Sequence, residues 1–263
     1  MTNAAVTRAP PTPRPPRPGS PRAAGRPLRL ALQCLAVLAL AAPAAIAQRV
    51  QAHLSLSSDY VVHGVSRSQG DPTLQAQLGA DLGSGWALGL AAATMNLNPG
   101  RGPNRELGVY LSRATSLDRD WTLAGTVATY RYAAQIPGLD YDYSEARVEL
   151  SWRERLQLGI AVSPDYSIGT RLGVARDSTS LDYTLTLLLP LSEPVALSAG
   201  VGRFDLSDGL GLRFWYWSAG AVYTGRRFSL ALTFTGAEPV TRTMFNDVST
   251  GDRLIATASW RLH

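Results

Sequence analysis

The chain has 263 residues, with 25 Arg and no Lys, 20 acids, one Cys and a formal charge of +5. Six of those arginines precede residue 48, and without them 19 arginines face 20 acids, so no basic stripe remains and a nucleic-acid partner is excluded. The lone Cys34 lies in the same front segment, which excludes disulfides beyond it.

Residues 1–29 are rich in Pro, Arg and Ala and contain no acid. An apolar run over 30–40 and the small-residue end Ala45-Ile46-Ala47 follow. That order predicts a secretory signal with an extended n-region, cleaved after Ala47, and one domain over 48–263.

From there the pattern has period two. Ala52, Leu54, Leu56 and Tyr60 oppose Gln51, His53, Ser55, Ser57 and Asp59, predicting a first strand. Residues 63–72 break it with Gly64, Gly70 and Pro72. Then Leu74, Ala76, Leu78, Ala80 and Leu82 oppose Gln75, Gln77, Gly79 and Asp81, and after Gly83-Ser84-Gly85 the alternation resumes at Trp86, Leu88 and Leu90. This is a hairpin with one apolar and one polar face. A loop over 96–104 leads to Leu107, Val109 and Leu111 against Glu106, Gly108 and Tyr110.

After a turn at 116–120 come Trp121, Leu123 and Val127, ending near Tyr130. Past Ile136-Pro137-Gly138, Ala146, Val148, Leu150 and Trp152 oppose Glu145, Arg147 and Glu149, and an Arg153-Glu154 turn leads to Leu156, Leu158, Ile160 and Val162. Residues 165–180 read as a polar loop, followed by Leu181, Tyr183, Leu185, Leu187 and Leu189 against Asp182, Thr184 and Thr186. The remaining strands start at Val195, near Phe214, at Phe228 and at Arg253, separated by loops at 205–211 and 236–251. The facing of residues 213–219 stays open.

Twelve strands with short and longer connections taking turns predict an all-β, up-and-down, antiparallel transmembrane barrel, with short periplasmic turns and outer loops. Its lipid face is the apolar set. Trp86, Trp121, Trp152 and Trp260 fall at the short-turn ends, and Tyr60, Tyr130, Tyr166, Phe214 and Phe234 near the other ends, which predicts two interfacial aromatic girdles.

The mature chain resembles the TorF-family porins, or Gcw_chp, a proteobacterial outer-membrane family of largely unassigned function. The resemblance rests on Ser58-Asp59-Tyr60 and His63-Gly64-Val65-Ser66-Arg67 within residues 57–68, and on Pro72 and Gly85-Trp86. Tyr130-Arg131-Tyr132 and Tyr143-Ser144-Glu145 extend it. His63 stands where the family has Arg, and Trp260-Arg261-Leu262-His263 replaces a terminal aromatic. The resemblance implies a pore in the outer membrane, embedded in lipid and inserted by the barrel-insertion machinery.

No phosphate loop, paired Cys or metal-ligand spacing occurs, so no cofactor or metal is expected. His53 with Ser55 or Ser57 would be a hydrolase dyad, but these residues are expected to face the lumen, which disfavours lipid chemistry. Asp59, His63 and Arg67 would either gather a ligand or brace the first outer loop. Asp59, Asp81, Glu106, Glu145, Arg147, Glu149, Asp165 and Asp182 are expected inward. The expected function is therefore passive diffusion of small hydrophilic solutes with weak cation preference, without catalysis. The alternatives are a non-conducting, partner-binding or structural barrel and, more distantly, an outer-membrane lipid hydrolase. Solute and oligomeric state are not legible.

Overall fold

The computed structural model describes residues 49–97, 104–133, 140–170, 173–245 and 248–262. The signal over 1–47 and its cleavage site, the Ile136-Pro137-Gly138 break and His263 lie outside these. In chain order the strands are β1 (Arg49–Ser57), β2 (Val61–Val62), β3 (Val65–Ser66), β4 (Thr73–Gly83), β5 (Trp86–Thr94), β6 (Arg105–Ser116) and β7 (Trp121–Ala133). They continue as β8 (Tyr143–Trp152), β9 (Leu156–Thr170), β10 (Gly173–Pro190), β11 (Val195–Leu206), β12 (Leu212–Thr224), β13 (Phe228–Ala237) and β14 (Arg253–Leu262).

β1 and β4 to β14 form a closed antiparallel barrel in which each strand pairs with its chain neighbour, and β1 closes on β14 from Ala52↔Leu262 to Ser57↔Thr257. Closure leaves no sheet edge unpaired. Period-two side chains then divide by face. Leu56, Leu78, Leu90, Leu107, Val148, Ile160, Leu185, Leu232 and Leu254 are exposed on the outer wall, while Glu106, Asp182, Thr235 and Ile255 are buried within. β12 takes the same rule: Trp215 and Tyr223 are exposed, Phe214 is buried and Tyr216 turns inward against Asp182.

Three expectations are corrected. Residues 165–180 are not a loop: β9 runs on to Thr170 and β10 starts at Gly173, with register shifts between Ala175 and Ser180. The extension is held because Tyr166 and Ala175 are buried in the core of the barrel mouth. The first strand stops at Ser57 and does not reach Tyr60, because Ser66 and Ser68 both donate to the Asp59 carboxylate at 2.6 Å and turn the chain inward. The outer aromatics do not form a lipid girdle. Phe234 is exposed outside, but Tyr143, Tyr166, Phe204 and Phe214 pack inside as a run of ring contacts at 5.2, 5.5 and 5.6 Å, joined by Tyr130 stacked on Tyr143 at 4.7 Å. The rings of Tyr130, Tyr143, Phe204 and Phe214 sit on the inner parity of their strands, and Tyr166 is turned inward by the register shift between its pairing with Ser178 and that of Ser163 with Ser180. The short-turn Trp86 and Trp260 do point outward.

At the inner wall, glycines on one strand receive tyrosines from the next. Gly89 pairs with Tyr110, Gly108 with Tyr130 and Gly202 with Tyr216. A Cβ at Gly89 or Gly202 would overlap the partner ring, so the ring lies flat on the glycine and takes up bore.

Candidate functional site

The candidate site is the lumen and the segment that enters it. Residues 58–72 leave β1 and fold into the barrel mouth as a strap. β2 and β3 form its hairpin, whose two turn residues, His63 (φ 52°) and Gly64 (φ 72°), are both left-handed, as a two-residue hairpin turn requires. Any side chain at Gly64 would overlap the Gly236 carbonyl and lie 2.8 Å from Ala237 Cβ, so the tip abuts β13 through glycine.

Three contacts pin the strap. Asp59 accepts from Arg253 of β14 at 2.5 Å as well as from Ser66 and Ser68. Burial opposes its ionisation, but these donors outweigh burial and hold the carboxyl below its ordinary value. Arg67 donates to Glu106 of β6 at 2.8 Å and to the Tyr132 hydroxyl at 2.6 Å, while Tyr132 and Tyr60 each donate to Glu106. His63 stacks on Phe204 at 4.5 Å, with its Nε2 3.7 Å from Asp182. The strap thus touches β14 behind it and β6, β7, β10 and β11 across the bore.

A second network lies on the wall. Arg147 donates to Glu145 at 3.2 Å and to Asp182 at 3.1 Å, and the Tyr216 hydroxyl donates to Asp182 at 2.6 Å. Arg147 on β8 and Asp182 on β10 are both in register with Ala161 on the strand between them, and this small residue lets the guanidinium reach across. Glu149 follows the same geometry over Gly159, beside Thr184, and makes no ion pair among the described residues. Asp81 sits elsewhere, exposed at the short-turn end, where its carboxylate accepts from the Gly83 amide. Asp165 accepts from the Ser144 amide near the mouth.

The expected residues thus separate into groups. Asp59 and Glu106 meet the strap, and Glu145, Arg147 and Asp182 meet each other, while Glu149 and Asp81 join neither. Ser58, Tyr60, Gly64 and Ser66 of the family motif all lie in or beside the strap, where Ser58 donates its amide to Ala256. The hydrolase dyad is not assembled: Ser55 donates to Ser259 at 2.8 Å and Ser57 to the Asp59 carbonyl, with Thr257 also in reach. Sequence reading named Tyr132 and Ser68 only as part of the resemblance, and missed Arg253 and Phe204. Of the last two only Arg253 carried a signal, as an inward charge on the last strand opposite an acid of the first loop.

With the β5 to β11 side occupied, open volume remains along β1, β4 and β12 to β14. A cavity of about 370 Å³ lies under the strap, bordered by Asp59, His63, Tyr216 and Thr257. A second of about 430 Å³ continues toward the short turns, bordered by His53, Gln77, Ser229 and Arg261, and Gln75 lines both.

A family model described as a bacterial protein of unknown function (Gcw_chp) matches residues 41–261. No curated protein matches the sequence. Among solved structures, the chain is similar to the NanC porin in a rhombohedral crystal form, at 12% identity and a TM-score of 0.53, over 79% of this chain and 97% of that one. It is also similar to the KdgM porin, at 6% identity and a TM-score of 0.49 over 82% and 100% of the two chains. The COG4313 outer membrane channel from Pseudomonas putida F1 aligns at 9% identity and a TM-score of 0.44, over 84% and 97%. Identities this low speak to the fold alone.

Proposed function

This chain belongs to the Gcw_chp family of bacterial proteins, and we propose that it is an outer-membrane channel for passive diffusion of small hydrophilic solutes, with residues 58–72 as its constriction. The porin label of the TorF name and the signal cleaved after Ala47 are part of this reading. So are a lipid surround for the exposed apolar wall and delivery by the barrel-insertion machinery. The observation that carries it is the pair of cavities that share Gln75, one under the strap and the other at the short-turn end. Twelve strands enclose more bore than the eight that side chains alone fill, and less than the sixteen or more of an aqueous general porin. A part-filled lumen with a lateral path is the intermediate case. The sequence predicts a weak cation preference; because most inward acids stand in ion pairs, we infer instead that the arginines of the wider cavity set selectivity.

A second reading has its own observation. Ser66, Arg67 and Ser68 are almost wholly buried, and a strap so held suits a non-conducting barrel. Single-channel recording of refolded protein in planar bilayers decides between them. Discrete steps that enlarge when the strap is released support the channel, and a folded, heat-modifiable barrel that stays silent at every voltage supports the structural reading.

A further inference from the structure

We infer that the short-turn end of the bore is a binding site for a small organic anion bearing a carboxylate or phosphate, held by Arg226, Arg227 and Arg261. This rests on the channel reading for its role in transport, but the site itself does not depend on conduction.

The three arginines line one cavity of about 430 Å³, a volume in the range of small-ligand pockets. The backbone brings them together: the Arg261 amide donates to the Arg227 carbonyl at 2.8 Å, Arg226 is adjacent in the β12–β13 turn, and Arg261 is in register with His53 of β1. Among the described residues no carboxylate borders this cavity. The nearest acids by chain and strand are Asp81 of β4, whose carboxylate caps its own turn, and Glu193 of the β10–β11 turn, and neither lines it.

The contrast with the rest of the lumen carries the point. Three other inward arginines are each matched to an acid: Arg67 to Glu106, Arg147 to Glu145 and Asp182, and Arg253 to Asp59. Arg226, Arg227 and Arg261 have no side-chain hydrogen bond or ion pair among the described residues. Planar guanidinium forks left open beside a cavity match carboxylate and phosphate in paired hydrogen bonds. Gln75, Gln77, Ser55, Ser229 and Ser259 on the same wall offer neutral hydrogen bonds to a hydroxyl-bearing body. A confined wall of one sign also concentrates counter-ions.

The test uses the refolded barrel and citrate as probe. Isothermal titration in detergent should show saturable citrate binding that weakens about tenfold or more in R226Q/R227Q/R261Q. The control R119Q/R155Q, which alters short-turn arginines outside the cavity, should bind as wild type. In bilayers under a KCl gradient the wild type should prefer chloride, and the triple variant should shift reversal potential toward potassium while keeping heat-modifiable mobility. Equal citrate affinity in wild type and a folded triple variant overturns the site, as does competition by phosphatidylglycerol micelles, which would put these arginines on lipid. If the triple variant does not fold, R261Q alone is read the same way. Silence in bilayers with Arg-dependent citrate binding sinks the channel reading and keeps the site. Conductance without Arg-dependent selectivity or binding does the reverse.

Discussion

Arg67 and Glu106, 39 positions apart, meet at 2.8 Å inside the barrel, one from the strap and the other from the wall of β6. Both are buried, and Tyr60 and Tyr132 donate to the same carboxylate. A buried pair costs desolvation to form, so its net contribution is modest, but an orphaned partner is expensive.

Arg67→Met strands the Glu106 charge and is expected to cost about 3 to 5 kcal/mol. Arg67→Met with Glu106→Gln should recover part of that, since no unpaired charge remains. Urea titrations of the barrel in vesicles measure both, and a double variant no better than the single would remove the pair from the account of strap stability.

Acidification should loosen the strap at Asp59. Its carboxyl is held below the ordinary value by Ser66, Ser68 and Arg253. The stabilisation of the ionised form is therefore complete above about pH 4, the unfolded aspartate value, and is lost as pH falls through the lower folded value. Amide exchange at Ser66 and Arg67 should be protected from pH 8 down to pH 5 and lose protection below about pH 4. Asp59→Asn should show weak protection with no such step, and a wild-type step near neutrality would implicate another group.

Gly89→Ala places a methyl into the Tyr110 ring and is expected to destabilise by about 1 to 3 kcal/mol. Pairing it with Tyr110→Ala removes the clash, so the second change should cost less on the Gly89→Ala background than alone. Additive costs in the denaturation cycle would mean the ring does not rest on the glycine.

The outer wall and the lumen should differ in their tolerance of charge. Leu185 is 40% exposed on the outer face, and Leu185→Arg should cost roughly 2 to 4 kcal/mol in a bilayer. Gln77→Arg, beside the wide cavity, should cost much less. Thr184→Arg is a poorer control, because Thr184 packs by Gly159 next to Arg147. Equal tolerance in vesicle-based unfolding would argue against a lipid-facing wall.

Orientation can be read with single cysteines. Val248, in the β13–β14 loop, and Leu117, in the β6–β7 turn, are each 57% exposed and lie at opposite ends of the barrel. On intact cells Val248→Cys should label with an impermeant maleimide, and Leu117→Cys only after the outer membrane is permeabilised. The opposite pattern would invert the topology.

What the sequence by itself determined was the count of twelve barrel strands, the inner and outer faces of their regular stretches, and the short turns. A period of two assigns each side chain to a face before any partner is known. Thus Leu185 outside and Asp182 inside were legible, as was the Arg153-Glu154 turn. The tertiary structure alone decided how the bore is filled. The Asp59–Arg253 pair spans 194 positions. Arg147 reaches Asp182 only because Ala161 between them is small and in register with both. Whether Tyr166 meets lipid or lumen turns on the register shift between β9 and β10, and the 165–180 segment became strand because the core accepts Tyr166 and Ala175. Closure of the sheet sets these distances, and closure is a property of all twelve strands together.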